Sequence, residues 1–308
     1  MARIDVTYDS AGIQIVGHLY LPDDAAPGPR PAIVVGHQGG AVKEQASGLY
    51  ARRLADKGLV ALAYDAAYQG ESGGDPRGLE DPAQRVEDFK AAVSFLTTRD
   101  EVDHDRIGIL GICASGGYSL PATATDHRVK ALATVCAVDI SRHFRLGADG
   151  TQDPAAFDAL LDTAAQARTA AAHGEKTPGL QVIPDTLEQA RAIGGEYGAE
   201  EFEYYRTPRA EHPRSARFFD WSSVDKIAMF DAFAPIPLIG QRPLMMIAGT
   251  RAITTWMTID AFQRAPGPKE FVWIEDASHN DLYDKPQYVG PAVEKLAEFF
   301  TKNLGDAA

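Results

Sequence analysis

Six short runs of the 308-residue chain are almost wholly apolar: PAIVVGH (31–37), GLVALAYD (58–65), RIGILGIC (106–113), VKALATVCAVD (129–139), RPLMMIAGT (242–250) and KEFVWIED (269–276). A strand with no polar face must be covered on both sides, which an antiparallel sheet open to water does not provide. Helical stretches separate several of these runs, at 44–57 and at 81–98, the second opening on Asp-Pro, a favoured helix start. A further helix closes the chain over 289–303. Strand and helix therefore alternate, and the expected fold class is α/β: a mostly parallel sheet with right-handed crossovers and helices on both faces. Ahead of it, RIDVTY and GIQIVGHLYLP flank a DSAG turn and predict an antiparallel hairpin.

The alternation fails once. About a hundred residues after Asp139 carry no convincing buried strand and are rich in Ala, Glu and Arg, with helical stretches at 154–172 and 185–206. The division this predicts is a core of residues 1–139 and 236–308, interrupted by a helical insertion, 140–235. An insertion at the edge where strands end should fold over the mouth of the sheet as a cap.

Charge and cysteine content narrow the function. A net charge of -13, without clustered Lys and Arg, excludes a surface that tracks phosphates, so no nucleic-acid partner is expected. Cys113 and Cys136 both sit in apolar runs, which suits a reducing compartment better than a disulfide framework. No run reaches about 18 apolar residues and the start lacks a leader pattern, so the expectation is a soluble cytoplasmic protein with no membrane partner. Ligand spacings for a metal, and Walker or GxGxxG motifs, are missing. The expected partner is a small-molecule substrate with no cofactor, and pairing into a homodimer is left open.

Chemistry concentrates in RIGILGICASGGYSL (106–120), a buried strand running into a glycine-rich turn and then a helix. That is the context of a nucleophile elbow, where small residues flank an attacking side chain held in a strained turn. Two registers fit: Cys113, with Gly111 before and Ser115 after, or Ser115 itself. The apolar run already fills the strand to Ile112, which favours Cys113 and leaves Ser115 as the alternative nucleophile.

With VVGHQGGAVKEQ, AYDAAYQGESGG, GICASGGY followed by TDHR, and EDASHNDLYD, nearly the whole chain resembles an α/β-hydrolase, and within that fold the dienelactone-hydrolase-related, YcjY-like hydrolases. The resemblance implies roles for several residues. His279, after the last strand, stands where such hydrolases place the general base. His37-Gln38-Gly39-Gly40 ends the first parallel strand as an HGGG-type loop does, so backbone N–H groups of Gln38 or Gly39, with that of Ala114, should face a developing oxyanion. A helix start and a nearby imidazole should lower the thiol pKa of Cys113. His37, Tyr204, Tyr205 and Ile253 are placed around the substrate pocket.

One member is missing. Similar hydrolases carry an Asp after the penultimate strand, and here GTRAIT puts Ile253 in its place. Loss of that acid costs a serine triad about 10⁴ in turnover. Three explanations are open: Asp139 supplies a relocated acid, a cysteine nucleophile needs the acid less, or the site has left hydrolysis behind. The expected activity is hydrolysis of a carboxylic ester or lactone through an acyl-enzyme on Cys113. The alternatives are a lyase or cyclase on the same scaffold, and a ligand-binding module without catalysis.

Overall fold

The computed structural model describes residues 1–23 and 28–305. Strands β1 (Ala2–Ser10) and β2 (Ile13–Leu21) form the expected hairpin, paired from Ala2 with Leu21 to Ser10 with Ile13. The apolar runs become β3 (Arg30–Gly36), β4 (Val60–Tyr64), β5 (Val102–Ile112) and β6 (Val129–Val135). A two-residue ribbon, β7 (Leu180–Gln181) with β8 (Phe218–Phe219), stands apart, and β9 (Leu244–Gly249) and β10 (Lys269–Ile274) complete the sheet. Its order is β1-β2-β4-β3-β5-β6-β9-β10, parallel from β4 to β10. The sheet is thus the α/β architecture that the apolar runs demand.

Both faces of the sheet are covered, as strands without a polar side require. Alternate residues divide between the two layers. Val34, Leu62, Ile109 and Leu132 belong to one core, together with Phe89 and Val93 of α2 (Pro82–Leu96) and Leu120 of α3 (Ala114–Thr125). Ile33, Val35, Ala61, Leu110 and Ala133 belong to the other, with Tyr50 and Leu54 of α1 (Ala46–Ala55) and Leu296 and Phe300 of the closing helix Pro286–Leu304. The Asp-Pro start acts as its chemistry suggests: Asp81 accepts from the N–H groups of Ala83 and Gln84 ahead of α2.

After β3 the chain passes to β4 on one side, then crosses to β5 on the other. The strand order reverses at β3, and a crevice opens at such a point beyond the carboxyl ends of the strands. The loop following β3 and the turn following β5 meet there. Between β6 and β9 lie α4 (Ile140–Leu146), α5 (Pro154–Ala172), α6 (Leu187–Arg206) and α7 (Ser222–Ala228). None of their residues joins the eight-stranded sheet. Helix α6 breaks at Gly195 (φ 56°, ψ -137°), which separates its last turns from its first. The remaining helices are α8 (Thr255–Arg264), the single turn α9 (Asp281–Asp284) and the closing α10 (Pro286–Leu304).

Helix α3 packs closely on the loop leaving β6. A Cβ at Gly116 would lie 2.7 Å from Ala137 Cα and 2.8 Å from its Cβ, atoms that cannot swing aside. Gly116→Ala should therefore lower stability by about 1–3 kcal/mol. In urea the midpoint falls while the slope is kept, and an unchanged midpoint would show that this contact yields freely.

Candidate active site

Cys113 occupies the turn between β5 and α3 with φ 55° and ψ -119°, on the left-handed side that side chains avoid. Such a conformation costs about 1–3 kcal/mol and persists only where its surroundings impose it. They do so through three backbone bonds. The Cys113 N–H donates to Val135 O (2.9 Å), and its carbonyl accepts from Gly116 (2.8 Å) and Val138 (3.0 Å). A side chain at Gly111 would put its Cβ 2.3 Å from Ser115 O, so the turn closes only with glycine there. Cys113 Sγ then faces a cavity, whereas Ser115 is buried in the first turn of α3. The Ser115 hydroxyl donates to His37 O and accepts from Arg85 Nη2 at 3.2 Å. Of the two registers, the structure turns the sulfur into the cavity and uses the hydroxyl to tie the elbow to the β3 loop.

That loop presents Gly39, which lines the cavity beside Ala114. The N–H groups of both reach the Cys113 sulfur and favour its anionic form. Gln38 is not among the residues lining the cavity: it is buried, and its side-chain Nε2 points at the Tyr204 hydroxyl (3.4 Å). His37 also departs from expectation. It lies beneath the loop, outside the cavity, where Nε2 accepts from the Ala66 N–H (3.0 Å) and Nδ1 donates to Gln38 O (2.6 Å). Burial and the adjacent Arg85 guanidinium hold its pKa well below the usual imidazole value. His37 is a strut for the loop. Farther along, Asp65 accepts from both the backbone N–H and the ammonium of Lys43, at 2.7 and 2.8 Å.

His279 follows β10 and is fully buried. Its Nδ1 meets Thr254 Oγ1 at 2.6 Å, and its Nε2 meets the Tyr283 hydroxyl at 2.8 Å. With Nδ1–H donating to Thr254, Nε2 is left as an acceptor for Tyr283. The same Tyr283 hydroxyl hydrogen-bonds the Cys113 sulfur, so one phenol links thiol and imidazole. No direct Cys113–His279 hydrogen bond is present among the described residues. Ile253 is 44% exposed and lies outside the cavity, and its buried neighbour Thr254 occupies the carboxylate's place against the ring.

Asp139 does not reach His279. One carboxylate oxygen caps α4, accepting from the Ser141 (2.9 Å) and Arg142 (3.4 Å) N–H groups, and the other accepts from Ala232 N–H (3.2 Å). With both oxygens pinning the entry to the segment after β6, the expected relocation of the acid does not occur. Of the tyrosine pair, Tyr205 lines the cavity, while Tyr204 packs behind it between Tyr205 and Tyr283, with centroids 4.8 and 4.9 Å away. Cys136 is buried, its thiol against His279 O at 3.8 Å.

The cavity encloses about 280 Å³. Val138, Ile140, Phe144, Leu160, Val182 and Phe219 wall it, and Cys113, Tyr283, Glu201 and His143 form its polar end. Burial governs the charges there. It pushes the Cys113 thiol up to about 12, beating the hydrogen bonds and the helix start that act the other way. It brings His279 down to about 3, helped by His143, and His143 itself to about 4. Burial also raises Glu201 to about 7. The sequence expectation of a lowered thiol pKa is therefore reversed: the resting pair is a thiol and a neutral imidazole. Tyr283, Thr254, His143, Tyr197 and Glu201 were not foreseen. Tyr283 alone carried a local signal, standing four residues after His279 in SHNDLYD.

The profile of the dienelactone hydrolase family matches residues 15–147. YcjY of Escherichia coli K12 is 40% identical over 276 residues, 89% of either chain. The chain belongs to the dienelactone hydrolase family. The crystal structure of the hypothetical protein PA2218 from Pseudomonas aeruginosa superposes on this family member with a TM-score of 0.90 at 36% identity, covering 98% of this chain and 94% of that one. A protein named thiohydrolase aneE, of Aspergillus aculeatus, is 27% identical over 93% of this chain and 87% of its own. The fold is that of the α/β-hydrolases, and no helix among the described residues is long and apolar enough to cross a membrane.

For this α/β-hydrolase, iodoacetamide should alkylate Cys113 more slowly than free cysteine at pH 7, because the thiol stays protonated up to about 12. The rate should climb steadily past pH 10. A plateau by pH 8 would instead reveal a preformed thiolate. Replacing Cys113 by Gly should leave the protein about 1 kcal/mol more stable than replacing it by Ala, since glycine adopts positive φ without strain.

Proposed function

We propose that this chain is a cysteine-dependent acyl hydrolase, cleaving an ester, lactone or thioester of a largely apolar, uncharged acyl chain through a covalent Cys113 intermediate. The observation that carries this reading is the setting of the sulfur, which stands in a strained elbow between the N–H groups of Gly39 and Ala114. Two converging N–H donors serve a carbonyl oxygen that gains charge when a nucleophile adds, whereas elimination asks nothing of a thiol so placed. The apolar walls favour a medium-sized acyl group, and among the described residues no Lys or Arg lines the cavity to receive an anion. The thiohydrolase name of one relative fits cleavage of an acyl–sulfur or acyl–oxygen bond.

In the attack, the thiol proton moves to the Tyr283 oxygen while the Tyr283 proton moves to His279 Nε2, the sulfur bonds to the acyl carbon, and that carbon's bond to the leaving oxygen or sulfur breaks, the leaving group departing as a stable anion or, once it takes up a proton, as the alcohol or thiol. Thr254 keeps the other ring nitrogen protonated, so Nε2 is the atom that accepts. Because thiol and imidazole both prefer the neutral state, proton transfer accompanies bond formation and no ion pair is stored beforehand. Water then adds to the thioester carbon and gives up one proton, which balances the one the leaving group takes up; the C–S bond breaks, the acid is released, and the sulfur regains its proton from His279 through Tyr283.

Rapid mixing with a p-nitrophenyl ester of a medium-length acid tests the reading. A burst of nitrophenol matching the enzyme concentration is expected. It vanishes in Cys113→Ala and survives in Ser115→Ala. Tyr283→Phe should slow the burst by about 10²–10⁴, the worth of a positioned proton-transfer group. An absent burst in the unaltered protein, or one that persists without Cys113, contradicts the assignment.

A further inference from the structure

Helix α6 places one carboxyl group in the same cavity as the nucleophile. Glu201 lines the space together with Cys113, Tyr197, Tyr205 and Tyr283. It is held from two sides: Oε1 accepts from Asn280 Nδ2 at 3.0 Å, and the Tyr197 hydroxyl hydrogen-bonds the same carboxyl. Asn280 directly follows His279, so the base and Glu201 are aligned by adjacent residues of one loop. The Tyr197 ring stacks edge-on to the His279 imidazole, with centroids 5.7 Å apart, so the phenol that bonds Glu201 also packs against the base.

No cation pairs with Glu201 among the described residues. Arg209 is the nearest influence of positive charge, and its guanidinium is held by Asp284 at 2.6 Å and Glu203 at 3.2 Å. Glu200, beside it on α6, turns to Ser278 and adds like charge. The carboxyl is felt by the Cys113 thiol and by the phenols of Tyr197, Tyr205 and Tyr283. Such surroundings disfavour the carboxylate and keep the group near the point where it gains or loses a proton at neutral pH.

Resting on the acyl-hydrolase reading above, we propose that Glu201 is a second proton carrier of the site, protonating the leaving oxygen as the acyl-enzyme forms and deprotonating the water that releases the acyl group. In the first half, the thiol proton reaches His279 through Tyr283, the Sγ–C bond forms, the C–O bond breaks, and Glu201 gives its proton to the departing alkoxide. Imidazolium and carboxylate now stand in one cavity. In the second half, the carboxylate takes a proton from water as its oxygen adds to the acyl carbon. The C–S bond breaks, and the sulfur recovers its proton from imidazolium through Tyr283. Thiol, neutral imidazole and carboxylic acid are restored, with one ester and one water consumed.

The division of labour also accounts for Ile253. A triad acid stabilises imidazolium, which Thr254 cannot do. The Glu201 carboxylate exists during the interval when the imidazolium does, so the counter-charge is supplied from α6 when it is required. A permanent carboxylate against His279 would be unnecessary.

The test uses Glu201→Gln with esters of one acid that differ in the leaving alcohol. Nitrophenolate departs without a proton, so the variant's p-nitrophenyl burst should stay within about threefold of the unaltered rate, while acylation by an alkyl ester falls about 10²-fold or more. Turnover after the burst should fall comparably for every ester, because water activation is lost, and Glu201→Asp should recover part of both. A melting curve confirms folding; the variant should gain stability, relative to the unaltered protein, from pH 5 to pH 8, where a raised carboxyl pKa makes ionisation costly. Alkyl-ester turnover unchanged in Glu201→Gln overturns the proposal, as does a p-nitrophenyl burst slowed as much as the alkyl reaction, which marks a residue that only shapes the pocket. If the unaltered protein forms no acyl-enzyme, the acyl-hydrolase reading fails and takes this role with it. If it forms one and the leaving-group dependence does not change, only the role of Glu201 fails.

Discussion

One strained backbone turn organises the site. Strand β5 must end, reverse and become α3 within a single residue, and the chain there has space for neither a side chain at Gly111 nor one at Gly116. Cys113, left with positive φ, projects from the turn into the cavity. The strain is held by the backbone bonds to Val135, Gly116 and Val138, so the close fit of β5, β6 and α3 aims the sulfur. The same reversal turns the N–H of Ala114 toward that sulfur, and the β3 loop brings Gly39 opposite. The reactive geometry is thus a consequence of how the sheet closes.

Burial then sets the chemistry. An exposed thiol at a helix start beside an imidazole would tend toward a thiolate–imidazolium pair. Here the segment between β6 and β9 covers the site, and loss of solvation outweighs every hydrogen bond that favours the anion. The resting site therefore stores no charge on sulfur or on His279. Thr254 suffices in such a neutral site, since its hydroxyl fixes the tautomer and the orientation of His279 without adding charge. A carboxylate in its place would raise the imidazole's affinity for protons at rest.

How much of this was legible in the sequence follows from which forces act locally. Apolar runs report burial on both faces, so the sheet, its hairpin and the interruption after Asp139 could be read directly. The elbow could be read because its small residues answer a steric demand within a few positions. Ala114 followed from the elbow, and Gly39, with Gln38 as its alternative, from the glycine-rich loop that ends the first parallel strand. The small residues alone admit two registers, Cys113 and Ser115; the length of the apolar run favours Cys113, and in the structure Cys113 lines the cavity while the Ser115 hydroxyl bonds His37 O. Asp139 looked like a stray acid because its partners, Ala232 and the first turn of α4, are assembled by the tertiary fold. Glu201 sits nearly ninety residues from Cys113 in a helix full of glutamates, and no pattern singles out the one facing the cavity. His37 was assigned to the pocket on its motif alone, whereas Arg85, nearly fifty residues away, holds it beneath the loop.

Locating the acyl group tests the central claim most directly. After brief reaction with an activated ester and quenching in acid, tryptic cleavage at Arg106 and Arg128 releases residues 107–128, which carry both Cys113 and Ser115. Fragmentation of this peptide by mass spectrometry should place the added acyl mass on Cys113, in a bond that neutral hydroxylamine cleaves as it does a thioester. An acyl group on Ser115, or a peptide that never gains the mass while ester is consumed, would contradict the account.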